Sequence, residues 1–228
     1  MKFCKKKFWA ALAVLMTAVF LVGCGSENNG ENGDEAGEGS YDTLSLSAVV
    51  ADVQSIVVDH INNNVDVRVH DGSNIEVTFT PPTDGNYVRA VLELREGRLF
   101  AGDYPPDTVG TIRNGRGGHL QILLPRGVAL DFIEIELVNG NIDLNGGGVT
   151  LADVMNTNSV NGNIFIAGLQ SGRAETETVN GGITLRDLII DGRLTATTVL
   201  GNISLINVDA DMDQAVLSTV LGRIEIRD

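Results

Sequence analysis

Apolar and polar residues alternate through the C-terminal half of the chain, and the alternation recurs in five copies of one short pattern. The pattern reads Val-x-Gly-x-Ile-x-(Leu/Ile), and its glycines are 19 to 22 residues apart. The repeated positions are Gly140, Gly162, Gly181, Gly201 and Gly222, each followed two residues later by Ile142, Ile164, Ile183, Ile203 or Ile224. Period-two alternation on both sides of each glycine predicts two short strands per copy, each with one buried face. Self-similarity at about 20 residues is typical of a solenoid, whose coils bury their apolar sides against one another.

Each repeated glycine marks a bend between two strands. Glycine can adopt positive φ, and in a solenoid the bends are equivalent, so whatever backbone angle one bend needs, the others need too. Residues 61–67 fit the same frame with Asn63 in the glycine position, and Asn is the usual substitute for Gly at positive φ. We therefore expect a sixth, diverged copy. If the bend angle has positive φ, Gly181→Val should destabilise markedly and Gly181→Asn should be far milder. The alternative is that the Asn-Gly pairs turn β-hairpins, which would make the flanking strands antiparallel.

Residues 41–127 alternate less regularly than the repeats at 128–228. Five stretches within the irregular part are predicted strands: 56–58, 65–69, 75–79, 88–94 and 120–124. Loops that contain prolines separate them, at 81–86 and 105–107. No segment has a 3.6-residue apolar stripe, so almost no helix is expected.

Both ends of the repeats need protection, because the apolar side of an end coil has no neighbour. The irregular part is expected to cover the first end. At the other end, Arg223, Glu225 and Arg227 occupy outward positions of the last copy. Charges on an exposed terminal strand discourage another strand from pairing with it. We therefore expect these three residues to protect that end.

The first 24 residues have the pattern of a bacterial lipoprotein leader. Four lysines precede an apolar run of 15 residues, 8–22, which is shorter than the ~20 residues of a membrane-spanning helix. The run ends in Leu21-Val22-Gly23-Cys24, which resembles the lipobox that carries the lipidated cysteine. We expect 1–23 to be a signal peptide, with an ordinary signal peptide or uncleaved anchor as the alternative. Lipidated Cys24 and a flexible acidic tether, 24–40, would then hold a single domain, 41–228, outside the cytoplasm on the cell membrane or cell surface.

Charge and cysteine content narrow the classes of partner. The chain has 16 basic and 30 acidic residues, a net charge of −14. All four lysines lie in the leader, so its removal leaves 12 arginines against 30 acidic residues, a net charge of −18. A field of that sign argues against binding to nucleic acid or to anionic lipid. Cys4 leaves with the leader, so no disulfide is expected and stability must come from packing.

Catalytic and metal-binding signals are weak. The three histidines, His60, His70 and His119, lie far apart in the sequence, and no Ser-His-Asp pattern or cysteine nucleophile appears. We assign no catalytic residues, and we expect neither enzymatic activity nor a cofactor. A polysaccharide-active β-helix enzyme is the alternative, and an Asp/Arg cluster in one groove would favour it.

One acidic segment resembles the start of a calcium loop. Asp209, Asp211 and Asp213 provide its first three oxygen ligands, but Gln214 stands where the loop needs glycine. Val220 stands where the bidentate glutamate is required. These aspartates are therefore a weak metal site, and a solvated acidic turn is the expected structure.

Residues 125–130 and 133–142 resemble a family. Pro125-Arg126-Gly127 followed by the first x-Gly-x-Ile unit is similar to the bacterial putative-adhesin family of β-strand-repeat domains of unknown function. The resemblance covers roughly residues 45–228. It implies an all-β, right-handed, single-stranded parallel β-helix-like solenoid of about 20-residue coils with an irregular β N-terminal part. Leu200 and Leu221 depart from the asparagines of the first three copies, so a continuous asparagine ladder is not expected.

These observations lead to one functional expectation and two alternatives. Members of the family are mostly secreted or surface lipoproteins with no agreed catalytic residues, which implies a non-catalytic role in adhesion or cell-envelope structure. Outward Asn, Thr and Ser columns suit a glycan or surface-protein ligand. Trp9 lies in the leader, so no tryptophan remains for strong sugar stacking. An envelope sensor or scaffold that binds another surface protein is the second alternative.

Overall fold

Fifteen strands pair into one open sheet in the computed structural model, which describes residues 43–82, 90–103 and 117–228. The strands are β1 (Leu44–Val49), β2 (Ser55–Asn62), β3 (Asn64–His70), β4 (Asn74–Thr80), β5 (Val91–Arg95), β6 (Arg98–Gly102), β7 (His119–Pro125), β8 (Ala129–Asn139), β9 (Ile142–Asn161), β10 (Ile164–Asn180), β11 (Ile183–Ile190), β12 (Leu194–Leu200), β13 (Ile203–Ala210), β14 (Val216–Leu221) and β15 (Ile224–Arg227). Within the described ranges, the helical structure consists of one 3-10 turn, Val50–Asp52. The expected all-β class is confirmed.

The described residues belong to one compact unit, Ala36–Asp228. The predicted leader, Cys24, the whole predicted tether, and residues 83–89 and 104–116 lie outside the described ranges. None of the described segments is a helix long and apolar enough to cross a bilayer.

Strands on both sides of the repeated glycines pair in parallel. We call each strand, bend and following strand a unit, named after the residue at its bend. In adjacent units Ile164 lies opposite Ile142 and Ile183, and Ile203 lies opposite Ile183 and Ile224. This register follows from the repeat, because each isoleucine faces the interior at the same place. Hairpins would make these strands antiparallel, so the hairpin alternative is wrong.

A sixth unit is present at Asn63, as the sequence predicts. Val65 lies opposite Ile142 in the neighbouring unit, and Asn62 lies opposite Asn139. The described parts of the five predicted strands of the irregular region are also extended, in β2, β3, β4, β5 and β7.

The bend positions require glycine because the neighbouring backbone lies very close to them. The φ angle is +147° at Gly140 and +159° at Gly201, whereas the other three bends lack positive φ. Positive φ is therefore not the feature that the five bends share. Instead, each glycine Cα faces the carbonyl oxygen of the preceding bend. A Cβ on Gly181 would lie 2.0 Å from the Gly162 oxygen, far inside van der Waals contact.

The same carbonyl contact recurs at every bend. The distance from an added Cβ to the preceding bend carbonyl is 2.0 Å at Gly140, 1.9 Å at Gly162, 1.9 Å at Gly201 and 1.8 Å at Gly222. Asn63 instead directs its side chain to the segment just before β7, where Gly118 donates its N–H to Asn63 Oδ1 over 2.5 Å. A side chain is therefore tolerated at the Asn63 bend and excluded at the five glycine bends.

Hydroxyl groups donate hydrogen bonds to the bend carbonyls. A Ser or Thr three residues before each later glycine donates to the glycine carbonyl of the preceding unit. The bonds are Ser159–Gly140 at 3.1 Å, Thr178–Gly162 at 3.0 Å, Thr198–Gly181 at 2.9 Å and Thr219–Gly201 at 2.9 Å. Three of the hydroxyl residues, at 159, 178 and 198, are buried. Hydrogen bonding therefore makes a polar column compatible with the interior.

The two ends of the sheet differ. At the first end, β4 pairs antiparallel with β7 and β1 pairs antiparallel with β4, which covers the apolar side of β7. At the other end, β14 and β15 have paired neighbours on one side. Ile224 and Ile226 are 42% and 54% exposed, whereas Ile203 and Leu205, the equivalent residues one unit earlier, are 0% and 1% exposed. The apolar side chains of β15 are thus exposed, and protection of this edge against strand pairing by its charges stays a prediction.

Candidate functional site

The strongest candidate for a binding surface is the outer face of the bends, which we call the bend face. It begins with an asparagine at the position before the bend residue. Asn139 donates to Asn62, Asn161 to Asn139 and Asn180 to Asn161, each Nδ2 to Oδ1 over 2.7 Å. All of these amides are exposed. The ladder spans four units and stops at Leu200, as the two leucines in this column imply.

The ladder leaves hydrogen-bonding capacity for a ligand. Each side-chain amide has two N–H donors and two acceptor lone pairs. A central amide such as Asn161 uses one donor and one acceptor on its neighbours, so one of each points to solvent. Regularly spaced donors and acceptors suit the hydroxyl groups of a polysaccharide, which both donate and accept.

A second asparagine column has a structural role. It lies just after the bend residues, and its carbonyl oxygens accept backbone N–H groups of the next unit. The bonds are Asn141 N to Asn64 at 2.9 Å, Asn163 N to Asn141 at 2.8 Å, Gly182 N to Asn163 at 2.8 Å and Arg223 N to Asn202 at 2.9 Å. These amides stabilise the bend more than they offer contacts to a ligand.

A column of exposed valines lies beside the asparagine ladder. It consists of Val138, Val160, Val179, Val199 and Val220, one per unit. The residues on either side of each valine are paired between units, so the valines lie above one another. Leu200 and Leu221 extend this apolar surface, and both are largely exposed. A contiguous apolar column on a solvated face is typical of a protein contact surface.

Carboxylates border the valine column. Glu136 and Glu177 lie two residues before Val138 and Val179, and Glu134 and Glu175 lie a further two residues back. In the unit between them, Asn156 lies opposite both Glu134 and Glu175, and Asn158 lies opposite both Glu136 and Glu177. None of these four glutamates takes part in an ion pair with another described residue. The bend face is therefore acidic on one side and amide-rich on the other.

A buried polar cluster joins three strands near the first end of the sheet. His60 Nδ1 lies 2.7 Å from Asp103 Oδ1, and the Asn63 amide Nδ2 donates to the same oxygen over 3.3 Å. Asp103 Oδ2 also accepts the Ile61 N–H over 2.5 Å. His60 Nδ1 also lies 2.8 Å from Asn63 Nδ2, so the three side chains are in mutual contact. The His60 ring is fully buried and stacks on Phe79, with 5.5 Å between centroids.

This cluster is built for stability and not for contact with substrate. It ties the end of β2 to the segment after β6 and, through Asn63, to Gly118 before β7. The other two histidines have different surroundings. His70 Nε2 lies 2.8 Å from the Asn74 carbonyl oxygen, and His119 is exposed at the start of β7.

An Asp/Arg cluster of the kind that an acidic-polysaccharide enzyme would require occurs at Arg68. Arg68 donates to both carboxylate oxygens of Asp143, over 2.9 and 2.7 Å, and lies 2.8 Å from Asp66 Oδ1. The hydrogen bond to Asp143 raises the pKa of Arg68 above its ordinary value, with the Asp66 and Asp143 charges adding to the effect against partial burial. The arginine charge is thus compensated by its neighbours. Its geometry fits an ion pair that holds the Asn63 and Gly140 units together.

The acidic segment at 209–213 forms a self-capped turn. Asp211 accepts the Asp213 N–H over 3.1 Å and the Gln214 side-chain amide over 2.6 Å, while Asp209 lies on β13. Both oxygens of the central aspartate are therefore used within the turn. Across the described residues, no group of three or more His, Cys, Asp or Glu side chains is arranged to hold a metal ion.

Comparison with known proteins defines the class of fold. The chain is similar to a "putative cell adhesion protein" from Clostridium sporogenes, with 11% identity, a TM-score of 0.50, and coverage of 82% of this chain and 98% of that one. A "putative adhesin" from Bacteroides fragilis is 14% identical over the same shares of the chains, with a TM-score of 0.36. No protein-family model matches the sequence, and no curated protein is similar to it in sequence. The first similarity shows a shared all-β fold.

Proposed function

We propose that this chain is a non-catalytic bacterial surface lipoprotein that acts in adhesion or cell-envelope structure through its bend face. The observation that carries the proposal is the four-unit ladder of exposed asparagines, each with a free donor and acceptor. A ligand with repeated hydroxyl groups, such as an envelope glycan, matches that chemistry. The name of the Clostridium sporogenes protein, which shares the fold, supports the same role.

We further propose that the parallel units wind as a right-handed, single-stranded β-helix-like solenoid. The one-to-one register of bends and isoleucines supports this arrangement. The domain would span 41–228, with 41–127 as an irregular cap and 128–228 as the repeats. The cover that β1 and β4 provide over β7 supports a capping role for the first part.

The ligand-binding role is tested by replacing the ladder amides with a residue that the same column already contains. Leucine occupies this position at 200 and 221, so the backbone accepts it. We expect Asn139→Leu, Asn161→Leu and Asn180→Leu together to reduce binding of the full chain to immobilised envelope polysaccharide. Thr184→Leu, on an outward position away from the bends, is the control. Equal binding by the triple variant and the wild type would exclude the ladder as the ligand face.

The lipid anchor is tested at Cys24. With the leader pattern intact, Cys24→Ala is expected to abolish incorporation of labelled fatty acid and to leave the precursor unprocessed. Ser26→Ala, two residues away, is the control. Labelled lipid on the Cys24→Ala protein would rule out the lipobox assignment and, with it, anchoring through this residue.

The valine column favours a second candidate function, a scaffold that contacts another envelope protein. Its apolar side chains offer a protein surface more than a sugar. Val160→Thr and Val179→Thr keep the branched shape and remove the apolar character. If these changes release a protein partner from envelope pull-downs while glycan binding persists, the scaffold is the better description.

A further inference from the structure

The valine column is an apolar surface that successive units present to the same extent. Its members before the last unit, Val138, Val160, Val179 and Val199, are 42%, 41%, 41% and 41% exposed. Because the exposure is constant, it follows from the outward position of each valine and not from a missing neighbour. At about 4.8 Å per unit, these four side chains form a stripe about 14 Å long, which is long enough to contact several side chains of a partner.

Five carboxylates lie beside this stripe, on the side away from the asparagine ladder. Asp59 of β2 lies directly opposite Glu136 of β8, and Glu177 occupies the same row two units farther along. A second row, one outward position farther from the bends, contains Glu134 and Glu175. Glu134 is half-buried and the other four residues are exposed. The valine column therefore has an acidic border along one side only.

The charges of this border are not compensated within the described residues. No ion pair there joins any of the five carboxylates to an arginine. Two arginines of the next outward row have other partners: Arg98 lies 5.9 Å from the ring centroid of the β8 phenylalanine, and Arg173 pairs with Asp153 over 2.8 Å. Like charges at facing positions, such as Asp59 and Glu136, are destabilising. A cationic partner would remove this repulsion and gain affinity from it.

The spacing of the valines matches an α-helix that lies along the column. Neighbouring valines are about 4.8 Å apart, because they belong to adjacent paired strands. In an α-helix, side chains three and four residues apart share one face and are about 4.5 and 6 Å apart along the axis. One apolar side chain of such a helix therefore meets each unit. Alternate side chains of an extended strand are about 6.6 Å apart, so they do not stay in step with the units.

We infer that the valine column binds an amphipathic α-helix of another protein, with the apolar stripe of the helix on the valines and its lysines or arginines beside Asp59, Glu136 and Glu177. This inference rests on the scaffold role proposed for the column and adds the chemistry of the partner. The carboxylates lie on one side of the column and the amides on the other, so a helix that is basic on one flank binds in one direction. The same carboxylates reject an acidic helix.

The test measures binding of a designed helix to the full chain, which is immobilised through a C-terminal tag and washed free of detergent. The probe is a peptide of about 14 residues with leucines at three- and four-residue intervals and lysines at the other positions. We expect saturable binding that weakens as salt is raised, because facing charges contribute to the affinity. Two control peptides should each bind about tenfold more weakly or less: strictly alternating leucine and lysine, which favours a strand, and the helix with glutamates in place of lysines.

Substitutions in the chain separate recognition from folding. Glu136→Gln and Glu177→Gln together should weaken binding of the lysine helix by about tenfold or more, and E136K/E177K should favour the glutamate helix instead. Glu76→Gln, the same loss of charge on β4, is the control and should leave binding unchanged. Glu136→Gln should be at least as stable as the wild type in thermal melts, because Asp59 then no longer faces a like charge.

Four outcomes would overturn the inference. Absence of saturable binding to the wild type excludes the site, and equal binding of the lysine and glutamate helices excludes recognition by charge. Tighter binding of the alternating peptide excludes the helix. An equal loss of binding with Glu76→Gln and with the double glutamine variant shows general attraction to an acidic protein. The scaffold role is tested separately: if Val160→Thr and Val179→Thr release an envelope protein that the glutamine variants retain, the scaffold stands and the basic helix is wrong.

Discussion

At the scale of single residues, the bend glycines are fixed by the distance between neighbouring backbones. A Cβ on Gly181 would lie 2.0 Å from the Gly162 carbonyl oxygen, and neither backbone can move without breaking the parallel ladder. We expect Gly181→Ala to destabilise the protein by roughly 3 kcal/mol, at the upper end of the cost of overpacking. Denaturant unfolding of the purified variant measures this loss.

The neighbouring glycine provides a matched control. A Cβ on Gly182 would lie 3.4 Å from the Asn202 carbonyl oxygen, which is ordinary van der Waals contact. Gly182→Ala should therefore cost within about 0.5 kcal/mol. Gly181→Asn should be as damaging as Gly181→Ala, because asparagine has the same Cβ. This reverses the expectation drawn from Asn63, and a mild Gly181→Asn would restore the explanation based on positive φ.

The isoleucine column tests which face of the strand is buried. Ile183 is 1% exposed between Ile164 and Ile203, and Thr184 points outward. Truncating Ile183 to alanine leaves a cavity and should cost roughly 2–5 kcal/mol. Thr184→Ala should cost within about 0.5 kcal/mol. Similar losses at the two positions in urea melts would contradict the assigned face.

At the scale of the strand and bend, the hydroxyl column joins each unit to the one before it. Thr198 Oγ1 donates to the Gly181 carbonyl oxygen over 2.9 Å and is buried. Thr198→Val keeps the shape but leaves that acceptor with one partner fewer, at a cost of about 1–2 kcal/mol. Thr197→Val, on the outward face, is the control, and its effect should be near zero. Equal losses of stability for Thr198→Val and Thr197→Val in thermal melts would contradict the stabilising role of the Thr198 hydroxyl.

Much of this level of structure can be predicted from the sequence, because the repeat samples each position several times. Alternation around Ile183 predicts its inward direction and its register with Ile164 and Ile203. The contact between Gly181 and the Gly162 carbonyl could not be predicted, since it depends on the spacing between units and not on the pattern within one. The sequence does show the hydroxyl column, as a Ser or Thr before Val in four of the five copies. It does not show that the glycine carbonyls of the preceding unit accept the hydrogen bonds.

The repeat gives no information about the buried cluster at His60 or about the open edge at β15. His60 and Asp103 are 43 residues apart, and Asp103 belongs to the irregular part, where no second copy supports a pairing. The bend face was predictable in composition from the outward asparagines. Predicting its hydrogen bonds would have required the distances between Asn139, Asn161 and Asn180, which the sequence does not give. Exposure at Ile226 depends on what the neighbouring unit covers, which a single repeat does not encode.

At the scale of the whole molecule, we expect that one complete unit can be deleted while the remaining units keep their pairing. Deleting residues 183–202 removes one full period and brings Ile203 beside Ile164 in place of Ile183. We expect this variant to fold with a β-sheet circular dichroism spectrum and one cooperative unfolding transition. Deleting only 183–193 removes β11 but keeps β12, so this unit loses the strand that pairs with both β10 and β13. That control should fail to fold, and equal stability of the two deletions would show that the stack does not require complete units.

The contact between bend backbones also bears on how the protein can evolve. Because each bend position rests on a main-chain atom of its neighbour, no compensating side-chain change nearby can accommodate a larger residue there. Selection on the fold is therefore concentrated on the glycine and a few inward residues of each period. The outward columns, including Asn161 and Val160, are free to drift or to be selected for a new surface chemistry. A lineage could exchange the molecule it recognises by changing these columns while the underlying frame stays the same.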